Sequence, residues 1–237
     1  MQLVWCETPA TFNALAADKV ISVLSHKPSA VIALPTGQTP VGLYSELRTR
    51  AAARELPVAD ARWFNLDEYV GLDGTHSLSY AKFVRTHLLD ALDVPESHIR
   101  LLRGNAEDLQ AECHDYDEAI ARAGGLDLAI LGLGANGHIA FNEPGSPWDS
   151  ATHVVSLSAL TRSVNARLHP DAVIPEKGIT MGVATLRAAR RILLLVSGES
   201  KRKALQALRR GIADRAWPVT SLVDHPDLTV LSDAQLR

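Results

Sequence analysis

Cysteine is scarce in this sequence, since only Cys6 and Cys113 occur among its 237 residues. The two thiols lie far apart in the chain and have neither CxxC nor metal-ligand spacing. This usage is typical of a protein of the reducing cytoplasm, where cysteines stay unpaired and fill the core. We therefore expect a cytoplasmic protein without a disulfide framework.

Long apolar runs and an excess of positive charge are also missing. No stretch approaches the roughly 18 apolar residues of a membrane span, and residues 1–10 lack the basic segment that opens a signal peptide. The formal net charge of −3 provides no attraction to nucleic acid or to an anionic membrane. Neither is expected as a partner, although one basic cluster occurs at 201–203 and 209–210.

The amino-acid composition is otherwise that of an ordinary soluble globular protein, with 46% apolar and 22% charged residues. Apolar runs that end in turn residues predict strands, and capped or amphipathic segments between them predict helices. The predicted strands are 2–6, 30–34, 62–66, the run that opens 126–145, 191–196 and 228–231, with short candidates at 99–102 and 152–157. The predicted helices begin after Thr8 and at Pro40 or cover 79–92, 109–123, 160–168 and 200–210.

This alternation of strand and helix predicts an α/β fold. We expect a single domain over residues 1–237, with one doubly wound, mostly parallel sheet and helices on both faces. Residues 178–186 fit a strand or a helix equally well. The sequence contains no internal repeat, low-complexity tract or linker that would divide it.

Residues 126–145, LDLAILGLGANGHIAFNEPG, are the most informative stretch. Their segment 132–137 matches the GxGxxG pattern of dinucleotide-binding proteins, which also needs a helix directly after the glycines and an acidic residue about 20 positions on. Pro144 interrupts any such helix, and no acid occurs between Asp149 and Asp171. We therefore interpret the glycines as residues that let the loop turn.

His138 and Glu143, with Asn136 in the same loop, form a candidate acid–base group. Open α/β sheets place their chemistry just past the carboxyl ends of strands. An imidazole with a pKa near 6.5 moves protons at neutral pH, and a nearby carboxylate can orient it. The alternative is a packed or surface histidine, as we expect for most of the nine. The spacing is not that of an HExxH zinc helix, so we expect no metal.

Asp67 follows another predicted strand and should lie at the same edge of the sheet. One interpretation of Asp67 and Glu68 is a solvated acidic turn. The other is a buried carboxylate whose pKa is raised by desolvation, so that it serves as a base for a carbon-bound proton.

The predicted strand 30–34 is followed by Thr36, Gly37, Gln38 and Thr39, and a helix begins near Pro40. Backbone N–H groups at a helix N-terminus bind anions, and hydroxyls add donors. Lys201 follows the predicted strand 191–196 and is either a second anion contact or one more surface lysine. Together these loops predict an enzyme that transfers protons on a small phosphorylated metabolite.

Three segments closely resemble the glucosamine-6-phosphate deaminase family: LPTG with TP in 34–40, FNLDEY in 64–69 and GHIAFNEP in 137–144. The resemblance extends over essentially the whole chain. It implies conversion of glucosamine 6-phosphate and water to fructose 6-phosphate and ammonia. The carbonyl of the open sugar serves as the electron sink, so neither a metal nor an organic cofactor is expected.

The resemblance also implies residue roles. Asp67 would remove the proton from carbon 2, and His138 would open the sugar ring with support from Glu143 and Asn136. Arg167 is a candidate through the resemblance alone. The expected phosphate contacts are Thr36, Gly37, Gln38, Thr39, Arg167 and Lys201.

Two positions depart from part of the family. Some members have an aspartate where this chain has Asn136, but asparagine occurs in the shorter members, so activity is still expected. Larger allosteric members carry basic effector-binding residues where this chain has His153 and Val155, and also a C-terminal extension that is missing here. We therefore expect a non-allosteric enzyme that is monomeric.

Three other functions are weighed against the deaminase. A galactosamine-6-phosphate deaminase/isomerase would share every residue named above. A 6-phosphogluconolactonase is disfavoured because that group shares only the Gly-His part of GHIAFNEP. A sugar-phosphate-binding regulator without catalysis would have no need of Asp67 as a carbon base.

Overall fold

The computed structural model of the protein describes residues 1–53, 56–168 and 172–237. In chain order its strands are β1 (Gln2–Cys6), β2 (Val31–Leu34), β3 (Arg62–Asn65), β4 (Asp67–Tyr69), β5 (Ile99–Arg100), β6 (Leu128–Gly132), β7 (His153–Ser156), β8 (Lys177–Thr180), β9 (Ile192–Val196) and β10 (Leu228–Asp233). Its α-helices are α1 (Pro9–His26), α2 (Val41–Ala52), α3 (Tyr80–His87), α4 (Leu109–Arg122), α5 (Ala159–Leu168), α6 (Val183–Arg187) and α7 (Arg202–Arg209). Among these described residues, no helix is long and apolar enough to cross a membrane.

The main sheet has seven strands in the order β1-β10-β9-β6-β2-β3-β5, and every neighbouring pair is parallel. Its central strands are apolar throughout because they are buried on both faces, which is the pattern expected of a parallel sheet. Alternate side chains point to opposite faces. In β6, Leu128 and Ile130 pack with α1, α2 and α3, whereas Ala129 and Leu131 pack with α4, α6 and α7. The predicted doubly wound sheet with helices on both faces is confirmed.

Helix boundaries follow local signals in the sequence. The side chain of Thr8 accepts a hydrogen bond from the N–H of Thr11 at 3.1 Å, and Pro9 occupies the first helical position of α1, as expected. The predicted helix 79–92 is shorter in the structure, because the backbone leaves the helical region at Leu88 and continues as a 3₁₀ turn, Leu89–Ala91.

The expectation of a single sheet is corrected by a second, antiparallel sheet of three strands in the order β4-β8-β7. Asp67 lies opposite Thr180 in it, so two segments far apart in the chain are joined beside the main sheet. The segment 178–186, which fitted a strand or a helix equally well, contains part of each, since β8 ends at Thr180 and α6 begins at Val183. Residues 152–157 do contain a strand, β7, but it belongs to this second sheet.

The order of the main sheet reverses direction between β2 and β6. From β2 the chain proceeds outward through β3 to β5, and from β6 it proceeds the other way through β9 to β10. Loops that leave two such strands diverge, and they open a crevice at the carboxyl edge of the sheet. This crevice contains the candidate site.

Candidate active site

A cavity of about 410 Å³ occupies the crevice. The loops after β2, β6 and β9 line it, together with β4, the start of α3 and one side of α5. All of the predicted site residues except Glu143 face it: Thr36, Gly37, Gln38, Thr39, Asp67, Asn136, His138, Arg167 and Lys201. The structure therefore brings residues from six separate segments to one volume.

His138 lies in the loop that leaves β6, and glycine allows it to fold back on that loop. A Cβ at Gly134 would lie 2.4 Å from the imidazole ring, which no side chain can do without displacing it. The N–H of Gly134 also donates to the carbonyl of His138 at 2.9 Å. The glycine-rich segment therefore serves to seat a histidine, and no helix of the dinucleotide-binding kind follows it.

Glu143 lies directly behind His138. Its Oε2 is 3.9 Å from Nδ1 of the imidazole and accepts a hydrogen bond from Nδ2 of Asn136 at 2.7 Å. Its Oε1 accepts from Oγ1 of Thr161 at 2.5 Å. The Glu143 side chain is 11% exposed, so protein groups and not bulk water set its orientation.

The surroundings of this pair hold His138 neutral and Glu143 charged at neutral pH. Burial lowers the pKa of His138 to about 4, against the opposing effect of the Glu143 charge and with a further small decrease from Lys201. Burial alone would raise the pKa of Glu143. The hydrogen bond from Thr161, the nearby imidazole and the hydrogen bond from Asn136 outweigh it, so the pKa of Glu143 is lowered. A neutral imidazole beside a fixed carboxylate can accept a proton.

Asp67 contributes a second carboxylate to the cavity, and it is 5% exposed. A solvated acidic turn is therefore excluded at this position. Its Oδ1 has no hydrogen-bond partner within the described ranges. Burial, followed by the charge of Glu68, raises the pKa of Asp67 well above its ordinary value. An unsatisfied carboxylate with a raised pKa is a strong candidate for a base.

Glu68, the neighbour of Asp67, serves a different purpose that the sequence did not reveal. Its carboxylate accepts hydrogen bonds from Oγ of Ser79 at 2.7 Å and from the N–H groups of Tyr80 and Ala81 at 2.9 and 2.8 Å. These donors form the start of α3, so Glu68 caps that helix. It thereby holds β4, and with it Asp67, against the wall of the cavity.

The cavity also has a cationic side, formed by Lys201, Arg167 and the loop 36–39. Lys201 stands just before α7, and burial lowers its pKa. Arg167 is exposed on the last turn of α5. The loop 36–39 precedes α2, whose first turn has no side-chain cap, and Gly37 has a φ of +92°. Uncapped amides and two cations in the lining of one cavity form a suitable site for an anion.

Several cavity residues escaped the prediction from sequence, among them Tyr80, Thr161 and Asn165. Nδ2 of Asn165 donates to the Tyr69 hydroxyl at 2.5 Å, and Tyr69 and Tyr80 have ring centroids 4.8 Å apart. The sequence did offer one indication of Thr161 and Asn165: they are four residues apart, which places both side chains on one face of the predicted helix 160–168. Among the described residues, no three or more His, Cys, Asp or Glu side chains are grouped as a metal site.

Comparisons with known proteins agree with this arrangement. A family model for glucosamine-6-phosphate isomerases/6-phosphogluconolactonase matches residues 8–230. The glucosamine-6-phosphate deaminase of Lysinibacillus sphaericus is 41% identical over 98% of each chain. A solved structure of a monomeric glucosamine-6-phosphate deaminase superposes with a TM-score of 0.96 at 39% identity and covers 100% of both chains. The chain therefore belongs to the glucosamine-6-phosphate isomerase/6-phosphogluconolactonase family, as its motifs predicted.

Lactonases of the family are more distant. The 6-phosphogluconolactonase of Thermotoga maritima has a TM-score of 0.77 at 20% identity, with 98% of each chain covered. Identity at that level indicates a shared fold only.

The raised pKa of Asp67 predicts how stability depends on pH. An acid whose pKa is higher in the folded than in the unfolded state binds its proton more tightly when folded. Its contribution to stability therefore falls as pH rises above the unfolded pKa of about 3.9. Asp67→Asn removes this loss, so the melting temperature of the variant minus that of wild type should increase between pH 4.5 and pH 7.5, by at least about 2 °C.

Thermal unfolding of both proteins at the two pH values measures this difference. Asp93→Asn changes an exposed aspartate outside the cavity and should show no such increase. A difference for Asp67→Asn that is independent of pH would contradict the raised pKa.

Proposed function

We propose that this protein converts glucosamine 6-phosphate and water to fructose 6-phosphate and ammonia. One observation carries the proposal: a buried carboxylate with an unbonded oxygen, Asp67, shares a cavity with two cations and with His138, whose imidazole has the carboxylate of Glu143 behind it. The reaction needs a base for proton abstraction, a group that shuttles a proton and a site for the phosphate. Asp67, His138 with Glu143 and the two cations would supply these in turn. The relatives at about 40% identity, which are glucosamine-6-phosphate deaminases, support the same reaction.

The first step opens the pyranose ring. His138 accepts the proton of the carbon 1 hydroxyl and returns it to the ring oxygen, so that an open-chain aldehyde forms. A neutral imidazole is required at the start, and burial supplies it by lowering the pKa to about 4. Glu143 stabilises the imidazolium while it carries the proton, because the two groups are 3.9 Å apart.

The second step moves the carbonyl from carbon 1 to carbon 2. Asp67 removes the carbon 2 proton, which the adjacent aldehyde has acidified, the electron pair passes into the carbonyl, and the carbon 1 oxygen takes a proton from solvent to give an enol. Asp67 then returns its proton to carbon 1, which leaves an iminium at carbon 2; water adds to the iminium, and ammonia leaves to give the carbon 2 ketone. Desolvation makes Asp67 a stronger base than an aspartate in water, which suits abstraction from carbon.

The cationic side of the cavity would bind the phosphate at the far end of the sugar. Lys201 and Arg167 supply charge, and the loop 36–39 supplies backbone N–H groups at the start of α2. A phosphate fixed there would hold carbon 1 and carbon 2 within reach of Asp67 and His138, because these groups line the same cavity.

Ammonia release from glucosamine 6-phosphate and from galactosamine 6-phosphate, measured side by side, tests the proposed reaction and its epimer alternative. Wild type should release ammonia from glucosamine 6-phosphate, and Asp67→Asn should lower kcat by at least about 100-fold, since a positioned base contributes that much or more. Asp93→Asn should retain wild-type activity. Release from the galactosamine epimer alone would favour the alternative, and release from neither would refute both.

The phosphate contacts predict a separate kinetic effect. Arg167→Gln or Lys201→Gln should raise KM for glucosamine 6-phosphate and lower kcat/KM by about 10- to 100-fold, because each removes a charged hydrogen-bond donor. Arg162→Gln on α5 and Lys203→Gln on α7 are matched controls, since neither side chain lines the cavity. Equal losses in the controls would mean that general positive charge, not the proposed contacts, determines KM.

We further propose that the enzyme is a non-allosteric monomer of the cytoplasm. The monomeric deaminase with a TM-score of 0.96 supports the monomer, and the free, buried thiols of Cys6 and Cys113 suit a reducing compartment. Light scattering should give a mass near 25.6 kDa, and the rate should depend hyperbolically on substrate. A sigmoidal rate curve that N-acetylglucosamine 6-phosphate sharpens would contradict this proposal.

A further inference from the structure

Thr161 makes an unusually complete set of contacts for a hydroxyl that the sequence did not single out. It lies in the first turn of α5 and is 4% exposed. Its Oγ1 is 2.5 Å from Oε1 of Glu143, 3.1 Å from Oγ of Ser158 and 3.5 Å from Nδ1 of His138. Among the other described side chains of α5, none has comparable contacts with the acid–base pair.

The direction of these hydrogen bonds follows from the number of protons available. A hydroxyl has one hydrogen and two lone pairs, and an ionised carboxylate can only accept. The Thr161 hydrogen must therefore point to Glu143, and the hydroxyl of Ser158 donates to Thr161. Towards His138, the oxygen of Thr161 can then act only as an acceptor.

This constraint selects one tautomer of His138. Both groups near Nδ1, the Thr161 oxygen at 3.5 Å and the Glu143 Oε2 at 3.9 Å, are acceptors, so Nδ1 must carry the hydrogen. Nε2 is left unprotonated, and no described residue forms a hydrogen bond with it. An unprotonated nitrogen is the form that can receive a proton from a substrate hydroxyl.

We propose that Thr161 is a positioning residue for the acid–base pair: it holds Oε1 of Glu143 while Asn136 holds Oε2, and it selects the Nδ1–H tautomer of His138. The inference rests on the proposed deaminase reaction for its kinetic consequences, but not for the tautomer itself. The hydrogen bond from Thr161 also does most to lower the pKa of Glu143, which agrees with this role.

The direct test is the ¹⁵N spectrum of the imidazole nitrogens in the free protein, with His138 assigned by comparison with His138→Asn. Wild type should have a protonated Nδ1 and an unprotonated Nε2. In Thr161→Val, which removes the hydroxyl but keeps the shape, the Nδ1 resonance should shift and the second tautomer should become populated. A wild-type spectrum with hydrogen on Nε2 would overturn the proposal, as would identical spectra in the variant.

Kinetics supply the second readout. Thr161→Val should lower kcat by about tenfold or more, the effect of losing a hydrogen bond to a charged group, with KM unchanged. Because the pKa of Glu143 would rise, the acidic limb of the kcat–pH profile should move to higher pH. Thr161→Ser should restore most of the activity, and Ser163→Ala on the exposed side of α5 should match wild type.

A loss of kcat in Thr161→Val that is equal at every pH would overturn the positioning role, because a merely structural defect has that form. Absence of ammonia release by wild type would refute the proposed function instead. The ¹⁵N spectra would still decide the tautomer in that case, so the two failures are distinguishable.

Discussion

The reversal of strand order between β2 and β6 is the constraint on which the site depends. Helices cover both faces of the sheet, but none can fill the gap where two neighbouring loops leave in opposite directions. Every candidate group except those on α5 enters this gap from a carboxyl end: the loop 36–39 after β2, Asp67 just past β3, the loop of His138 after β6 and Lys201 after β9. The order of the strands therefore determines which candidate groups meet in the site.

Two buried carboxylates in this gap have opposite electrostatic surroundings. Asp67 has an oxygen without a donor, and its pKa is raised, whereas Glu143 accepts from Thr161, Asn136 and the Ser158 N–H, and its pKa is lowered. Burial acts on both in the same direction, so the difference comes from the hydrogen-bond donors and the imidazole beside Glu143, and from the charge of Glu68 beside Asp67. One carboxylate is thereby suited to take a proton and the other to remain charged, although both are acids of similar intrinsic strength.

Local signals in the sequence sufficed for most of the fold and for much of the site. The buried strands, the capped start of α1 and the loop around His138 are each encoded within a few consecutive residues. The second sheet is not, because β4 has three residues and pairs with β8 more than 100 positions away, too short for any periodicity. The capping role of Glu68 and the presence of Thr161 in the site were missed for the same reason: their partners meet them only after the chain has folded.

The helix α5 shows why apolar periodicity fails near a site. Its described apolar side chains are mostly outside the core, since Leu160 is 48% and Val164 37% exposed, while polar Thr161 is buried. Among its described side chains, Thr161 and Asn165 attach the helix through hydrogen bonds to Glu143 and to Tyr69. Glu143 and Tyr69 thus hold the helix in place, and the helix in turn fixes the orientation of these two side chains. In α5 the polar Thr161 and Asn165 face the protein and the larger apolar side chains are exposed, the reverse of an ordinary surface helix. Only the tertiary structure therefore reveals which face packs against the protein.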